Sequence, residues 1–442
     1  MVKQWQAWLA AGALALASQQ VAAEDHSETI KRGEYLAIAG DCGACHSESG
    51  KPPFSGGHAI ASPLGTIFST NITPSKTAGI GNYSEQQFAD ALRKGVRGDG
   101  SQLYPAMPYT AYAKLTDEDV AALYAYFMHG VQPVDRQPQQ TALPFPFNLR
   151  FSMAAWNWLF LDTQPFQPDA AQSAAWNRGA YLVQGLTHCS TCHTPRNLLM
   201  AEQQDKNLQG ASLGTWFAPD ITAQGLQGKP QWTRSELAQY LATGHARNGA
   251  TAGGPMLEAI DKSFRHMTPQ DRDAIATYLL PASAEAEVPE ATGVTNVQGD
   301  DTPQSALSEG AQVYRNNCAS CHNFSGQGLK GLPALQNHPV LHKPNADNVA
   351  MAVLQGVWPE EGQGMIGFAA ELSDRQIAAV TNYVMQDMGH SKVQITEDRV
   401  KTLRAGGAAS PLMLLSRIGM AAGGVLVLLA FWWWRKTRAA KR

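Results

Sequence analysis

Cys42-Gly43-Ala44-Cys45-His46 is the stretch that decides the fold, and it recurs as Cys189-Ser190-Thr191-Cys192-His193 and Cys318-Ala319-Ser320-Cys321-His322. The three copies use all 6 cysteines of the chain. Two thiols three positions apart can each form a thioether to one haem vinyl group, and the next histidine then lies under the iron as its proximal ligand. The spacing therefore predicts three covalently bound haem c groups. Cys42, Cys45, Cys189, Cys192, Cys318 and Cys321 would hold the porphyrins, and His46, His193 and His322 the irons. A thioredoxin-like pair would be a single C-x-x-C near a βαβ pattern, with no histidine required after it. A structural zinc site draws its ligands from motifs at short separation, whereas these lie 147 and 129 residues apart. Disulfides would not need the histidines.

Both ends of the chain carry a membrane signal. Lys3, an alanine-rich apolar stretch from Trp8 to Ala17 and the small residues Val21-Ala22-Ala23 predict a secretory signal peptide over 1–23. Export suits the chemistry, because bacterial c-type attachment is completed outside the cytoplasm. Ile418 to Trp434 is an unbroken apolar run. Extended back to Pro411, with Arg417 snorkelling toward the headgroups, it predicts a transmembrane anchor over 411–435. Trp432, Trp433 and Trp434 would form an interfacial cluster. Arg435, Lys436, Arg438, Lys441 and Arg442 would lie in the cytoplasm by the positive-inside rule. The haem-bearing part would then sit in the periplasm, held to the inner membrane by one C-terminal helix. A net charge of −3 without a basic stripe argues against nucleic acid as a partner.

Between these ends a repeat is visible. A leading helix precedes each motif: Arg32-Gly33-Glu34-Tyr35-Leu36, Arg178-Gly179-Ala180-Tyr181-Leu182 and, more loosely, Glu309-Gly310-Ala311-Gln312-Val313-Tyr314. A second helix is predicted from caps at Ser84, Thr233 and Asn345 to glycines at Gly95, Gly244 and Gly356. Gln87 and Glu236 complete capping-box patterns, and Asn348 takes the same place in the third copy. A closing helix is predicted after Thr116, Thr268 and Ser373, with Pro269 at the permitted first position and Tyr126, Tyr278 and Tyr383 farther along.

The fold expected is mainly α: three tandem cytochrome c domains plus a single C-terminal transmembrane helix. The domains would span 24–140, 171–282 and 303–392. An interdomain segment (141–170), a linker (283–302), a juxtamembrane segment (393–410) and a basic tail (436–442) complete the chain.

The distal iron ligand should be a methionine on the loop before each closing helix. Met107, Met256 and Met365 lie 61, 63 and 43 residues after their proximal histidines. Thioether ligation raises the reduction potential relative to a second histidine. Methionine is more often a core gap-filler, but agreement of position in three repeats favours these three over the other ten, with Met351 a competitor in the third domain. His58, His188, His266, His338 and His342 are read as surface or supporting residues. Each proximal histidine also needs an acceptor on its other ring nitrogen. Carbonyls near Pro63 and Pro333 are the candidates, with none identified for the second domain.

The chain resembles the triple-haem cytochrome c subunits of bacterial membrane-bound dehydrogenases, the group that serves gluconate, alcohol, aldehyde and polyol dehydrogenases. Gly40-Asp41-Cys42-Gly43-Ala44-Cys45-His46, Gly65-Thr66-Ile67-Phe68-Ser69-Thr70-Asn71-Ile72-Thr73-Pro74 and Leu103-Tyr104-Pro105-Ala106-Met107-Pro108-Tyr109 carry the likeness. So do Gly79-Ile80-Gly81, Ala125-Tyr126-Phe127-Met128-His129-Gly130, Arg178-Gly179-Ala180-Tyr181-Leu182-Val183 and Cys192-His193-Thr194-Pro195-Arg196. The third domain departs from the family's Met-Pro-x-Phe, having Met365-Ile366-Gly367-Phe368. The resemblance implies that a separate catalytic subunit, a flavoprotein or quinoprotein, oxidises the substrate. Electrons then pass through this chain to ubiquinone, and the assembly can include a small third subunit. No substrate-oxidising site is expected here, since no dinucleotide fingerprint or catalytic triad stands out. A carrier donating to an oxidase or another cytochrome, and a stand-alone multihaem peroxidase or reductase, are the alternatives.

Overall fold

A glycine at the same place in each leading helix sets how the three units pack. In the computed structural model, an added Cβ on Gly33 would lie 1.9 Å from the carbonyl oxygen of Ala122 in the closing helix. The matching distances are 1.9 Å from Gly179 to Ala274 and 2.3 Å from Gly310 to Ala379. Only glycine lets the two backbones cross this closely.

The structure describes residues 26–228, 231–282, 303–329, 332–408 and 411–439. The predicted signal peptide (1–23), the linker (283–302) and Lys441 and Arg442 of the tail lie outside the described residues. The first unit runs α1 (26–39), α2 (Cys42–His46), β1 (Ala59–Ser62), β2 (Gly65–Phe68), α3 (Glu85–Lys94), α4 (Tyr109–Tyr112) and α5 (Asp117–Ala125). After α6 (Ser152–Phe160) come α7 (Ala174–Tyr181), α8 (Ser190–His193), β3 (Ala211–Ser212), β4 (Phe217–Ala218) and α9 (Ala223–Leu226). The second unit continues with α10 (Arg234–Thr243), α11 (Gly254–Lys262) and α12 (Pro269–Leu279). The third has α13 (Glu309–Asn317), α14 (Ala319–His322), α15 (Asp347–Gln355), α16 (Asp374–Tyr383) and α17 (Glu397–Arg404), and α18 (Leu412–Ala439) follows. Among the described residues, the sheets are two antiparallel pairs, β1 with β2 (Ala59 opposite Phe68) and β3 with β4 (Ala211 opposite Ala218).

Local chemistry sets these boundaries. Ser84 caps α3 and Thr233 caps α10, each in a full capping box with Gln87 or Glu236, and α3 and α10 end at Gly95 and Gly244 with positive φ. Thr116, Thr268 and Ser373 cap the closing helices α5, α12 and α16. The expectation at Asn345 needs correcting. α15 begins at Asp347, with Ala346 at the cap, and the Asn345 side chain instead accepts from the Asp347 N–H at 3.1 Å in an Asx-type turn. Asn348 does not complete a box either. From within α15 its side chain pairs with the backbone of Phe217, accepting from the N–H and donating to the carbonyl, both at 2.8 Å.

The first two units share one apolar core. Leu36, Phe88, Leu115 and Phe127 from the first join Tyr181, Leu186, Ile260 and Ile275 from the second. The third unit has its own, with Tyr314, Leu341, Met351, Ile377 and Val400 at its centre. It meets the second through Asn348, through Trp216, which packs against the third core, through Thr251 with His338 (3.1 Å), and through charged contacts, Lys262 with Glu360 and Arg265 with Glu361 (3.1 Å). Leu412–Lys436 is a 25-residue stretch of mean hydropathy 2.0, none of it buried within the protein. By length and composition this helix can cross a membrane.

Candidate haem sites

Each thiol pair lies on or beside a single short helix ending at its histidine, in α2, α8 and α14. All six thiols are free, with no disulfide among them. The chain turns back beyond each histidine in the same way. Gly56, Gly210 and Gly328 donate their N–H groups to the carbonyls of His46, His193 and His322 at 2.8, 2.7 and 3.0 Å. This return brings a second carbonyl under each ring. Thr70 lies 2.7 Å from His46 Nδ1, Pro219 lies 2.7 Å from His193 Nδ1, and Pro333 lies 3.0 Å from His322 Nδ1. With Nδ1–H donating, Nε2 is the nitrogen left for a metal. Burial pushes all three imidazoles below their ordinary pKa, partly offset by the carbonyl bonds. The neutral form that ligates iron is therefore favoured.

The expected acceptor at Pro333 is present. That at Pro63 is not, because Pro63 sits in the turn between β1 and β2 and the return past β2 delivers Thr70 instead. The second domain's acceptor, Pro219, does carry a sequence signal. Thr70-Asn71-Ile72-Thr73 and Pro219-Asp220-Ile221-Thr222 are one motif twice. The Asn71 side chain accepts from the Thr73 N–H (2.9 Å) and hydroxyl (2.7 Å), and Asp220 accepts from the same groups of Thr222 at 2.8 and 2.7 Å. Each locks the turn just after the carbonyl that orients the histidine.

Met107 and Met256 are half-buried and pack against the shared core that also receives Cys42 and Cys189. Short two-residue ladders precede them, Val96 opposite Gln102 and His245 opposite Thr251. In the third unit the loop is shorter, and Met365 itself pairs with Val357 through two backbone bonds of 2.8 and 2.9 Å. A Cβ on Gly356 would lie 2.3 Å from the Met365 carbonyl, so this tight turn requires glycine. Met351 is fully buried in the third core and packs there as an ordinary apolar residue. Three of the other histidines are engaged elsewhere. His188 packs edge-on against Tyr112, His266 Nε2 meets the Asp261 carbonyl at 3.0 Å, and His338 Nε2 meets the Thr251 hydroxyl at 3.1 Å.

The expectation of a loop methionine holds for Met107 and Met365 but not for Met256, which lies in the first turn of α11. Paired free thiols, a largely buried imidazole with its Nδ1 already engaged, and a half-buried thioether form the donor set that a covalently held haem needs. A helical unit of this kind three times over, followed by one apolar helix, defines a membrane-associated multihaem c-type cytochrome. The sequence profile of the cytochrome c family matches residues 30–130, 177–283 and 307–387. The fructose dehydrogenase cytochrome subunit of Gluconobacter japonicus is 42% identical over 90% of this chain and 87% of its own length. The gluconate 2-dehydrogenase cytochrome c subunit of Pantoea cypripedii is 39% identical over 85% of this chain and 89% of its own. The cytochrome c subunit of the quinone-linked alcohol dehydrogenase of Gluconobacter oxydans is 35% identical over 92% and 89%. The chain belongs to the family of triple-haem cytochrome c subunits of bacterial membrane-bound dehydrogenases, and it carries three covalently bound haem c groups.

Proposed function

We propose that this chain is the electron-transfer subunit of a periplasm-facing dehydrogenase complex, taking electrons from a catalytic flavoprotein or quinoprotein subunit and passing them to ubiquinone. Gluconate, fructose or another polyol, an alcohol or an aldehyde is the substrate class of the partner. A small third subunit fits the same assembly. The observation that carries the reading is likeness along nearly the whole length to cytochrome subunits of three such dehydrogenases.

Haem supplies reversible one-electron chemistry at each site; everything else is the work of the chain's own groups. Cys42 and Cys45, Cys189 and Cys192, and Cys318 and Cys321 tether the three groups within domains 24–140, 171–282 and 303–392. His46, His193 and His322 would ligate the irons, each ring oriented by a backbone carbonyl, and Met107, Met256 and Met365 would supply the thioether ligands. The neutral thioether favours the reduced iron and raises the potential. α18 keeps the haem-bearing domains at the periplasmic face, within reach of a membrane quinone.

The test is purification of the native complex from detergent-extracted membranes, with haem stoichiometry, mass spectrometry and quinone-reduction assays on one sample. Three haems per chain, a co-purifying dehydrogenase and substrate-dependent quinone reduction are expected. Three haems with no dehydrogenase, or a haem that readily binds peroxide, would overturn the assignment.

A further inference from the structure

The leading-helix motif Arg-Gly-x-Tyr does more than precede a haem site. Arg32 pairs with Asp119 in its own domain (Nη2 to Oδ1, 2.6 Å), and Arg178 pairs with Asp271 in its own (Nη2 to Oδ2, 2.7 Å). The tyrosines of the same motifs cross over. The Tyr35 hydroxyl donates to Asp271 Oδ2 of the second domain at 2.6 Å, and the Tyr181 hydroxyl donates to Asp119 Oδ2 of the first. Asp119 and Asp271 are equivalent positions, each three residues after its helix cap. The two domains are therefore joined by the same contact made twice in opposite directions, which is what a two-fold relation between two copies produces. The third domain has Glu309, Gln312 and Gln376 at these positions, and Glu309 pairs instead with Arg375.

The same relation brings the haem attachment motifs together. α2 packs against α11, the helix that carries Met256, and α4, just after Met107, packs against the turn Leu182–Leu186 that leads to Cys189. Gly40, two residues before Cys42, abuts Leu186: a Cβ there would lie 3.2 Å from its side chain. The Tyr112 hydroxyl donates to the Gly40 carbonyl at 2.7 Å while its ring meets His188, the residue before Cys189. Ser263 of the second domain donates to the carbonyl of Ala39 at 3.1 Å. The third motif lies outside this cluster: its domain has a core of its own and touches the second through Trp216 and the Thr251–His338 contact, with no counterpart of the reciprocal tyrosine bonds.

We propose that the first two domains act as one di-haem unit in which Tyr35 and Tyr181 are positioning residues, their reciprocal hydrogen bonds to Asp271 and Asp119 holding the two attachment motifs against each other. The third haem stands apart from this pair. The inference rests on the haem-holding roles given above. Such a unit would serve electron exchange between its two haems, since groups held by segments packed this closely would feel one another's charge.

Potentiometric titration of the full-length, detergent-extracted protein, followed by absorbance and electron paramagnetic resonance, tests it. In the native chain two haems are expected to shift one another's potential on reduction, while the third titrates alone. Three mutually independent haems would overturn the proposal. Tyr35→Phe and Tyr181→Phe should each weaken the interaction to a similar degree, and the double substitution should remove most of it, leaving three haems bound and the third potential in place. An unchanged interaction in the double variant would exclude a positioning role. If the double variant binds fewer haems, the native titration and the single variants decide the matter. A native chain that holds other than three haems would instead defeat the haem assignment itself.

Discussion

At His46, His193 and His322 a backbone carbonyl both orients the ring and selects the nitrogen that faces the iron. That carbonyl was legible in the sequence only in the third domain. The Cys-x-x-Cys-His motifs are visible because covalent attachment needs those side chains at contiguous positions. A carbonyl acceptor has no side-chain signature of its own, and at Thr70 and Pro219 it is marked only by the locking residues that follow, Asn71 and Asp220. The axial assignments stand on position in the repeat, so each is separately testable. Met107→Ala should alter the axial-ligand signature of one haem in three by magnetic circular dichroism and leave the other two unchanged; no change would remove Met107 from the site. Gly33 offers a test of packing. Its Cβ would meet the Ala122 carbonyl at 1.9 Å, backbone that cannot rotate away. Gly33→Ala should cost about 1–3 kcal/mol, the usual range for overpacking, read as a lowered thermal midpoint of the haem-loaded protein.

Among the elements, helix boundaries were the most readable feature, since Ser84, Thr116, Thr233, Thr268 and Ser373 all cap as their spacing implies. Asn345 deceives because asparagine closes a turn two residues ahead as readily as it caps a helix. Asn348, at a box position, turns out to clip α15 onto β4. Asn348→Ala would leave the half-buried Phe217 N–H and carbonyl without these partners, at about 1 kcal/mol, the usual net worth of such hydrogen bonds. The third domain should then detach earlier on heating or under limited proteolysis, with the first two unaffected. The N-terminus of α12 carries a pH dependence. Burial alone would raise the Asp271 carboxyl, but hydrogen bonds from Arg178 and Tyr35 outweigh it and hold it below the ordinary value. A carboxylate depressed on folding stabilises above its unfolded pKa, about 3.9, and loses that contribution as pH falls through the folded value. The contact between the first two domains should therefore persist at neutral pH and weaken only in acid below about pH 4. Asp271→Asn should flatten this limb of a midpoint-against-pH curve; an acid limb identical to the native one would place the titrating group elsewhere.

For the whole molecule, three haem units and one apolar C-terminal helix could be counted from the sequence, but not how the units group. The grouping depends on Asp119 and Asp271, which read locally as ordinary acidic residues in a helix's first turn. Only the fold shows each reaching a tyrosine of the other domain. The candidate anchor poses the opposite case, since α18 is plain in the sequence and its apolar stretch is not buried within the protein. α17 ends the folded part. Val400 and Leu403 are buried in the third core, and a Cβ on Gly407 would lie about 3 Å from Gly214 of the second domain. A chain ended after residue 408 would thus keep every core residue named above and lose only the apolar helix. It should be recovered in the soluble fraction without detergent, with three haems per chain and the native thermal midpoint. Retention on membranes would mean that α18 is not the sole attachment. The next surface to examine would then be α6 and its surroundings, where Phe151, Trp158 and Leu159 lie exposed together with Leu198 and Leu199, an apolar grouping that a freely soluble domain seldom displays. Loss of haem on truncation would instead mean that membrane attachment supports maturation of the third domain. Measuring haem content alongside partitioning separates these outcomes.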